Sequence, residues 1–268
     1  MRRAALQIAE DVARPAPPSY LNVPIGPRRA LITERLPLAR FEQVKRRRDV
    51  KLNDVILAVV SGAMRRFACL LGEEPRPLRA MVPVSVRSDE DSAAAGNRIT
   101  FAFIDLPISE PRAARRLALV AGRMGELKRS GRIGGSEAIL RGTERLPGFL
   151  KERAARIAAS PRMYNLTVSN VPGPRIPLYA AGAEVEAIYP VIPNSDEHAI
   201  AIGVLTYRDA IHFACYVDPE ALEKAPELSG LVRAELQELE EAVGDRRRGA
   251  QRVRRASAPR AAARPSGG

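Results

Sequence analysis

The chain has 268 residues, of which 46% are hydrophobic, and a formal net charge of +12. This length fits one large domain or two small ones, and the apolar content excludes a wholly disordered chain. The two cysteines exclude a disulfide framework and fit a reducing, cytoplasmic compartment. The longest apolar stretch, residues 55–64, is about half the ~20 residues that a membrane-spanning helix needs.

Most of the net positive charge lies in the C-terminal tail, residues 245–268. The tail contains eight arginines and one aspartate, so it carries +7 and the other residues +5. It has one valine and no other large apolar side chain, and we predict that it is disordered. A solvated extension is the favoured interpretation, and a surface for an anionic membrane is the alternative. Nucleic-acid binding is disfavoured, because the sequence has no zinc finger, no RRM pattern and no Trp.

The N-terminal third begins with a predicted helix end and a connector that contains five prolines, together residues 1–30. Proline excludes helix here, so the connector is predicted to run extended over a surface. A strand ending at Pro37 and a short helix over residues 39–48 follow. Apolar residues then recur at i, i+3, i+4 and i+7 from Val55 to Leu71, with Gly72 at the end, which predicts a helix over residues 53–71.

The rest of the chain alternates between β-rich runs and helical patterns. Strands are predicted at residues 79–86, 98–106, 163–169, 184–191, 199–206 and 211–217, and helices at 111–129, 136–146, 149–159 and 219–243. The last two strands are close enough in sequence to form an antiparallel hairpin. This order indicates a layered α/β or α+β domain.

Conventional catalytic motifs are absent, and the sequence has only two histidines. His212 lies in the middle of a predicted strand, where a hydrogen-bonded structural residue is the favoured interpretation. His198 lies in a predicted loop, where we expect a surface histidine; the alternative is a base whose pKa Asp196 and Glu197 raise.

Two polar clusters lie near the predicted helix over residues 53–71 and the strand over residues 79–86. Asn53 and Asp54 stand at the helix N-terminus, where they could cap the helix or orient a substrate. Ser85 and Arg87 end the strand, and open sheets commonly present ligand contacts at strand ends. Asn97 comes just before the next strand.

A further cluster runs from Asn165 to Pro174, in the segment NLTVSNVPGP. Ser169 and Asn170 stand near the end of the predicted strand, and Gly173 lies in a Pro-Gly-Pro turn. A hydroxyl, an amide and free backbone N–H groups at such a place can contact a ligand's oxygens. Turn chemistry alone is the other explanation for Pro-Gly-Pro.

Five segments occur in this order along the chain: SYLNVPIGPRR, LNDVILAVVSGAMRRF, RAMVPVSVR followed by GN, NLTVSNVPGP and AIAIGVLTYRDAIHFACYVD. This ordered set resembles the C-terminal part of bacterial wax ester synthase/diacylglycerol acyltransferases. The resemblance covers about residues 18–243. It implies one lobe of a chloramphenicol acetyltransferase-like, CoA-dependent acyltransferase fold, with a mixed sheet flanked by helices. It also implies that residues 1–30 are an interlobe linker and that residues 31–244 are the C-terminal domain.

The family transfers a fatty acyl group from acyl-CoA, as co-substrate, to diacylglycerol or a long-chain alcohol. Its HHxxxDG motif, whose second histidine is the general base, belongs to the N-terminal lobe and is absent from this sequence. The resemblance therefore implies an N-terminal lobe in another chain and an exposed apolar face that the lobe would cover. No cofactor or metal is expected, and peripheral membrane attachment is an expectation. A non-catalytic lipid-binding or docking lobe, or an inactive truncated product, is the alternative.

The family's Asn-Asp pair matches Asn53 and Asp54, which would support the catalytic centre. Its Ser-Asn pair matches Ser169 and Asn170, which would contact substrate oxygens. From its charge, Arg87 is expected to meet an anionic part of CoA. The hairpin strand has Ala201 where relatives often have Asn, so no polar contact is expected there.

Overall fold

The computed structural model describes residues 15–85, 99–129, 148–149, 160 and 162–256. Six strands form one mixed sheet in the order β1-β8-β7-β4-β2-β3, and two short strands, β5 and β6, form a separate pair. The strands are β1 (Ala30–Pro37), β2 (Leu78–Ser85), β3 (Ile99–Leu106), β4 (Leu166–Pro172), β5 (Tyr179–Ala180), β6 (Ala183–Glu184), β7 (Ile200–Tyr207) and β8 (Ala210–Val217). The layered α/β architecture with a mixed sheet is thus confirmed.

The helices of the described ranges are α1 (Leu38–Arg48), α2 (Leu52–Leu71), α3 (Ala113–Arg129) and α4 (Leu228–Ala256). They share one hydrophobic core with one face of the sheet. Helix α2 is the best predicted of them, because its apolar stripe is buried from Val55 to Phe67 and it ends at Gly72 in a left-handed conformation. None of these helices has the length and apolarity to cross a membrane.

A buried ion pair joins the helices beneath the sheet. The guanidinium of Arg116 on α3 donates to the carboxylate of Glu235 on α4, and each side chain is 1% exposed. Arg116 also donates to the carbonyl oxygens of Glu110 and Pro111, at 2.8 and 2.7 Å. Helix α2 has Gly62 where Glu235 crosses it, because a Cβ at this position would collide with the carboxyl group. The three helices are therefore held at one relative placement.

Two predicted elements differ from the structure. Of the predicted strand 184–191, only residue 184 pairs with another strand, as the last residue of β6. Strand β7, which follows the segment in the chain, already has β4 and β8 as neighbours, so the segment cannot pair with it and lies against the sheet instead. There the ring of Tyr189 contacts that of His212 at 5.1 Å. Gly203 leaves room for the segment, since a Cβ would collide with the carbonyl oxygen of Pro190.

The last helix begins at Leu228 rather than at residue 219 and continues to Ala256. Residues 245–256, which we predicted to be disordered, thus extend α4. Alanine and arginine favour helix, and lengthening an existing helix avoids the cost of a new nucleus. The helices predicted at residues 136–146 and 149–159, and the one at the N-terminus, lie outside the described residues apart from residue 149.

The proline-rich connector forms no helix over the described residues 15–29, as predicted, and is fixed along its length. Leu21 is fully buried and its carbonyl oxygen accepts from the N–H of Ala199 at 2.8 Å. Further along, the N–H of Gly26 donates to the Asp218 carboxylate at 2.6 Å. Burial favours a raised pKa for Asp218, but hydrogen bonds from three backbone N–H groups and the nearby Arg29 hold the pKa below its usual value.

Candidate functional site

Most of the predicted site residues that the structure describes fall at the end of the sheet where three parallel strands finish. Strands β2, β4 and β7 run in the same direction and end at Ser85, Pro172 and Tyr207. The carboxyl ends of parallel strands are where open α/β sheets bind ligands. Helix α2 begins at the same end, since its Asn53 contacts β4.

A hydrogen bond joins two of the predicted residues directly. The amide Nδ2 of Asn170 on β4 donates to Oδ1 of Asn53 on α2 at 3.0 Å. The remaining oxygen of Asn170, Oδ1, is buried and has no partner among the described residues. A buried carbonyl oxygen without a donor is costly, so this atom is suited to accept a hydrogen bond from a ligand or another protein surface.

Asp54 is buried beside Asn53 and has one structural and one unused oxygen. Its Oδ2 accepts from the backbone N–H of Lys51 at 3.0 Å, while Oδ1 has no partner among the described residues. Lys51, and neither Asn53 nor Asp54, is the N-cap residue of α2. Asn53 is therefore not the helix cap, and Asp54 takes part in capping through only one of its two carboxylate oxygens.

Lys128 is a neighbour that the sequence analysis missed. It stands in the last turn of α3, where burial lowers its pKa, the charge of Lys51 lowers it further and Asp54 opposes both. The contact joins residues more than seventy positions apart on two helices. No motif or spacing in the sequence carries that information.

Ser169 and Gly173 lie at the same end of the sheet. Ser169 is 7% exposed and faces Gly203 in the parallel register of β4 and β7. At Gly173 a Cβ would collide with the carbonyl oxygen of Thr206. The N–H of Arg208 donates to the carbonyl oxygen of Pro174 at 3.0 Å, so the Pro-Gly-Pro turn is fastened to the β7–β8 turn. Close approach of two backbones explains the glycine.

Asn165 does not belong to this group. It precedes β4, about 17 Å along the strand from Asn170. Its Oδ1 accepts from the N–H of Arg79 at 2.7 Å, and its Nδ2 donates to Pro17 O and Asn22 Oδ1. The side chain is fully buried, with these three contacts within the domain. Asn165 thus fastens the connector to the opposite end of the sheet, which is a structural role.

The remaining predicted residues are only partly described. Ser85 is the last residue of β2 and pairs with Ile99, so its backbone lies at the site end of the sheet. Arg87 and Asn97 lie outside the described residues, in the sequence between β2 and β3. Their contribution to the site stays a prediction.

Both histidines are buried, which makes the surface-loop expectation for His198 wrong. His198 is 2% exposed, stacks on Tyr164 at 4.1 Å and places its two ring nitrogens at 2.8 and 3.1 Å from the carbonyl oxygens of Asp196 and Tyr164. His212 is fully buried between β1 and β7, as expected for a structural residue. Neither of its ring nitrogens has a hydrogen-bond partner among the described residues, against expectation.

His212 is expected to make stability depend on pH. Burial lowers its pKa, Arg35 lowers it further, and Asp209 only partly opposes this. The unfolded chain therefore binds the proton more readily, so the free energy of unfolding falls as pH drops below about 6.5, by at most about 1.4 kcal/mol per pH unit. In urea unfolding at pH 7 and pH 5, His212→Leu is expected to remove this part of the slope. An unchanged slope would contradict the prediction.

Large hydrophobic side chains are exposed near the site end of β4. Five of the nine that are exposed in the described ranges lie between residues 171 and 191: Val171, Ile176, Leu178, Tyr179 and Val191. The hydroxyl of Tyr207 fixes this segment, because it accepts from the N–H of Leu178 and donates to the carbonyl oxygen of Val185. Exposed apolar side chains held in place in this way are typical of a surface that meets another molecule.

Comparison with known proteins gives a consistent result. The family described as the WS/DGAT C-terminal domain matches residues 95–240, and the wax ester synthase/diacylglycerol acyltransferase catalytic domain matches residues 1–56. A probable diacylglycerol O-acyltransferase of Mycobacterium tuberculosis is 33% identical over 231 residues, which are 85% of this chain and 50% of that protein. The O-acyltransferase WSD of Acinetobacter baylyi is 31% identical over 83% of this chain and 48% of its own length.

Solved structures agree on the fold. The wax ester synthase/diacylglycerol acyltransferase from Marinobacter aquaeolei VT8 superposes with a TM-score of 0.65 at 24% identity, over 90% of this chain and 56% of that one. The epimerization domain from the third module of tyrocidine synthetase B gives a TM-score of 0.56 at 11% identity, over 91% and 56%. The chain spans about half the length of the curated relatives that it matches. On the family match over residues 95–240, the chain belongs to the wax ester synthase/diacylglycerol acyltransferase family.

Proposed function

We propose that this chain supplies the C-terminal half of an O-acyltransferase active site. The reaction moves a fatty acyl group from acyl-CoA to the hydroxyl of diacylglycerol or a long-chain alcohol. The observation that carries the proposal is the Asn53–Asn170 hydrogen bond at the carboxyl ends of the parallel strands, beside unpartnered oxygens of Asn170 and Asp54. The names of the relatives support the reaction class.

The general base comes from the HHxxxDG motif of an N-terminal lobe, because neither histidine of this chain suits the task. A base must reach the acceptor hydroxyl with a free lone pair. The ring nitrogens of His198 both face carbonyl oxygens, and His212 is enclosed within the domain. Asn53 and Asp54 support the catalytic centre, Ser169 and Asn170 contact substrate oxygens, and Arg87 meets an anionic part of CoA.

The N-terminal lobe covers the exposed apolar side chains between residues 171 and 191. Their exposure in the isolated chain supports this arrangement, since burying apolar area is the main driving force for association. The acyl acceptors are poorly soluble in water, so the enzyme works at the surface of a membrane or lipid body as a peripheral protein.

An acyl-transfer assay with palmitoyl-CoA and diacylglycerol tests the proposal. The purified chain alone is expected to show no turnover, and co-expression with an HHxxxDG-containing N-terminal lobe of a relative is expected to restore it. General-base catalysis contributes about 10²–10⁴-fold, so the two preparations are expected to differ by at least that factor. The matched control is the same lobe with Ala in place of the second motif histidine, which is expected to abolish the gain.

Two outcomes contradict the proposal. Turnover by the chain alone that His198→Ala abolishes would assign the base to this chain. Binding of palmitoyl-CoA without turnover, both alone and with the N-terminal lobe, would favour a non-catalytic lipid-binding module.

A further inference from the structure

A cavity on the helical side of the domain is not used by the proposed active site. It has a volume of about 520 Å³ and lies between residues 65–70 of α2, the start of α3 and the first half of α4. Cavities of this size hold small organic molecules in proteins. The first of its α2 residues, Arg65, comes 12 positions after Asn53, which is about 18 Å along a helix. The cavity is therefore separate from the site end of the sheet, and a ligand there would bind whether or not the chain takes part in acyl transfer.

The floor of the cavity is the buried ion pair between Arg116 and Glu235. Each of the two side chains is 1% exposed, and both line the cavity. The Nη1 and Nη2 atoms of Arg116 donate to oxygen atoms, but its Nε atom is buried and has no hydrogen-bond partner among the described residues. A buried donor without an acceptor is costly. A ligand that carries acceptor oxygens could satisfy this donor.

Arg65, on the wall of the cavity, has unused donors. Its Nη1 atom donates to the carbonyl oxygens of residues 108–109, at 3.0 and 3.2 Å, while Nε and Nη2 have no partner among the residues that the structure describes. The neighbouring Arg66 differs, because its Nε and Nη2 atoms face the carboxylates of Glu235 and Glu238 at 3.4 and 2.5 Å. The Nε and Nη2 atoms of a guanidinium form a planar fork that matches the two oxygens of a carboxylate. Arg65 therefore offers a free binding fork for a carboxylate.

The charges that line the cavity favour a ligand with one negative charge. Three arginines and two glutamates line it, so their net charge is +1. A monoanion balances this charge, whereas a dianion would be repelled by Glu235 and Glu238. The sign and size of the charge therefore point to a carboxylate rather than to a doubly charged phosphate.

The rest of the lining is apolar. It consists of Cys69, Leu70, Pro111 and Leu231. Leu70 is 37% exposed, and Leu231 is only partly buried, so both can still lose contact with water. Removing apolar surface from water favours binding of a hydrocarbon group. The cavity therefore suits a molecule that joins a carboxylate to a short hydrocarbon part.

We propose that this cavity binds a small organic monocarboxylate. The carboxylate oxygens accept from Nε and Nη2 of Arg65, and the hydrocarbon part lies against Leu70, Pro111 and Leu231. Such a ligand touches α2, α4 and the segment that leads into α3, whose packing the Arg116–Glu235 pair already fixes. It therefore stabilises the folded chain, because it binds to the assembled helices and not to the unfolded chain.

Isothermal titration calorimetry of the full chain with hexanoate tests the proposal. Hexan-1-ol has the same hydrocarbon part without the charge, and inorganic phosphate has charge without a hydrocarbon part. Each of these two compounds is expected to bind at least about tenfold more weakly than hexanoate, because each lacks one half of the recognised structure.

Variants of Arg65 test the residue that holds the carboxylate. Arg65→Gln is expected to weaken hexanoate binding at least about tenfold, since a hydrogen-bonded charge pair is lost. Arg65→Lys keeps the charge but not the planar fork, so it is expected to recover only part of the binding. The matched control is Arg28→Gln, which removes an exposed arginine elsewhere and is expected to leave hexanoate binding unchanged. Thermal unfolding checks that each variant is folded.

Alkylation of Cys69 shows whether hexanoate occupies this cavity rather than the proposed active site. Cys69 is exposed and lines the cavity, whereas Cys215 is buried. Saturating hexanoate is expected to slow the reaction of Cys69 with N-ethylmaleimide, an uncharged reagent. Arg65→Gln is expected to remove this protection at the same hexanoate concentration. Cys215 is the internal reference and is expected to stay unmodified, as peptide mass spectrometry measures.

Several results would overturn the proposal. Hexan-1-ol binding as tightly as hexanoate would mean that the cavity selects only hydrocarbon, and phosphate binding as tightly would mean that it selects only charge. Undiminished hexanoate binding by Arg65→Gln, or alkylation of Cys69 that hexanoate does not slow, would place the ligand elsewhere. A chain that binds no hexanoate at all would remove the site.

Discussion

Asn170→Ala is expected to lower kcat/KM for acyl transfer about 10²-fold in the enzyme reconstituted with an N-terminal lobe. The substitution removes the Nδ2–Asn53 hydrogen bond and the unpartnered Oδ1 at the same time. Losing one preorganised polar contact to the reacting centre has an effect of this size in enzymes. Steady-state kinetics with palmitoyl-CoA and diacylglycerol measures it.

Asn165→Ala is the matched control, because it removes the same side chain from the other end of the same strand. It removes the side-chain hydrogen bonds that Asn165 makes with the backbone N–H of Arg79 and the carbonyl oxygen of Pro17. We expect it to reduce the free energy of unfolding by about 1–3 kcal/mol and to leave kcat/KM of the folded enzyme within a few fold. An Asn170→Ala enzyme with unchanged kinetics would place the active site elsewhere.

Glu235→Leu is expected to destabilise the domain by about 3 kcal/mol, because the guanidinium of Arg116 stays buried and keeps only the partly exposed carboxylate of Glu238, 3.8 Å away, as a counter-charge. Such a loss is a large fraction of the stability of a typical domain. Urea unfolding of the purified chain, followed by circular dichroism, measures the change.

The double variant Arg116→Met/Glu235→Leu separates charge from packing. Replacing both charges by apolar groups of similar size is expected to recover most of the loss. Glu241→Leu, on the exposed side of α4, is the control and is expected to change stability by less than about 0.5 kcal/mol. A double variant no more stable than Glu235→Leu alone would mean that shape, and not the buried charge, holds the three helices together.

Local pattern predicted most of the elements in the described ranges. The apolar stripe of α2 and the nearly continuous apolar runs of β7 and β8 each placed their element within one residue of its observed bounds. The stripe of α2 follows from burial of one helix face, and the runs of β7 and β8 follow from burial of both faces of these strands. The segment 184–191 has a strand-like composition, but whether it pairs depends on a free sheet edge, which is a property of the whole fold.

The site was partly predictable from the sequence, because the carboxyl ends of neighbouring parallel strands lie close together in space. Asn53 and Asn170 do meet, 117 positions apart in sequence, because one begins a helix and the other ends a strand at the same end of the sheet. Asn165 stands in the same sequence motif, yet five residues of extended chain carry it to the other end. The Arg116–Glu235 pair depends on how three helices pack, which no sequence spacing reveals.

The connector has a mechanical consequence for any movement between lobes. Hydrogen bonds hold it at intervals to Asn165, Ala199 and Asp218, so this segment has little freedom to rotate. A proline-rich stretch in a sequence suggests a hinge, whereas here hydrogen bonds hold the stretch rigidly against the domain. If substrate entry requires the two halves of the enzyme to open, residues 17–26 are therefore not expected to serve as the hinge.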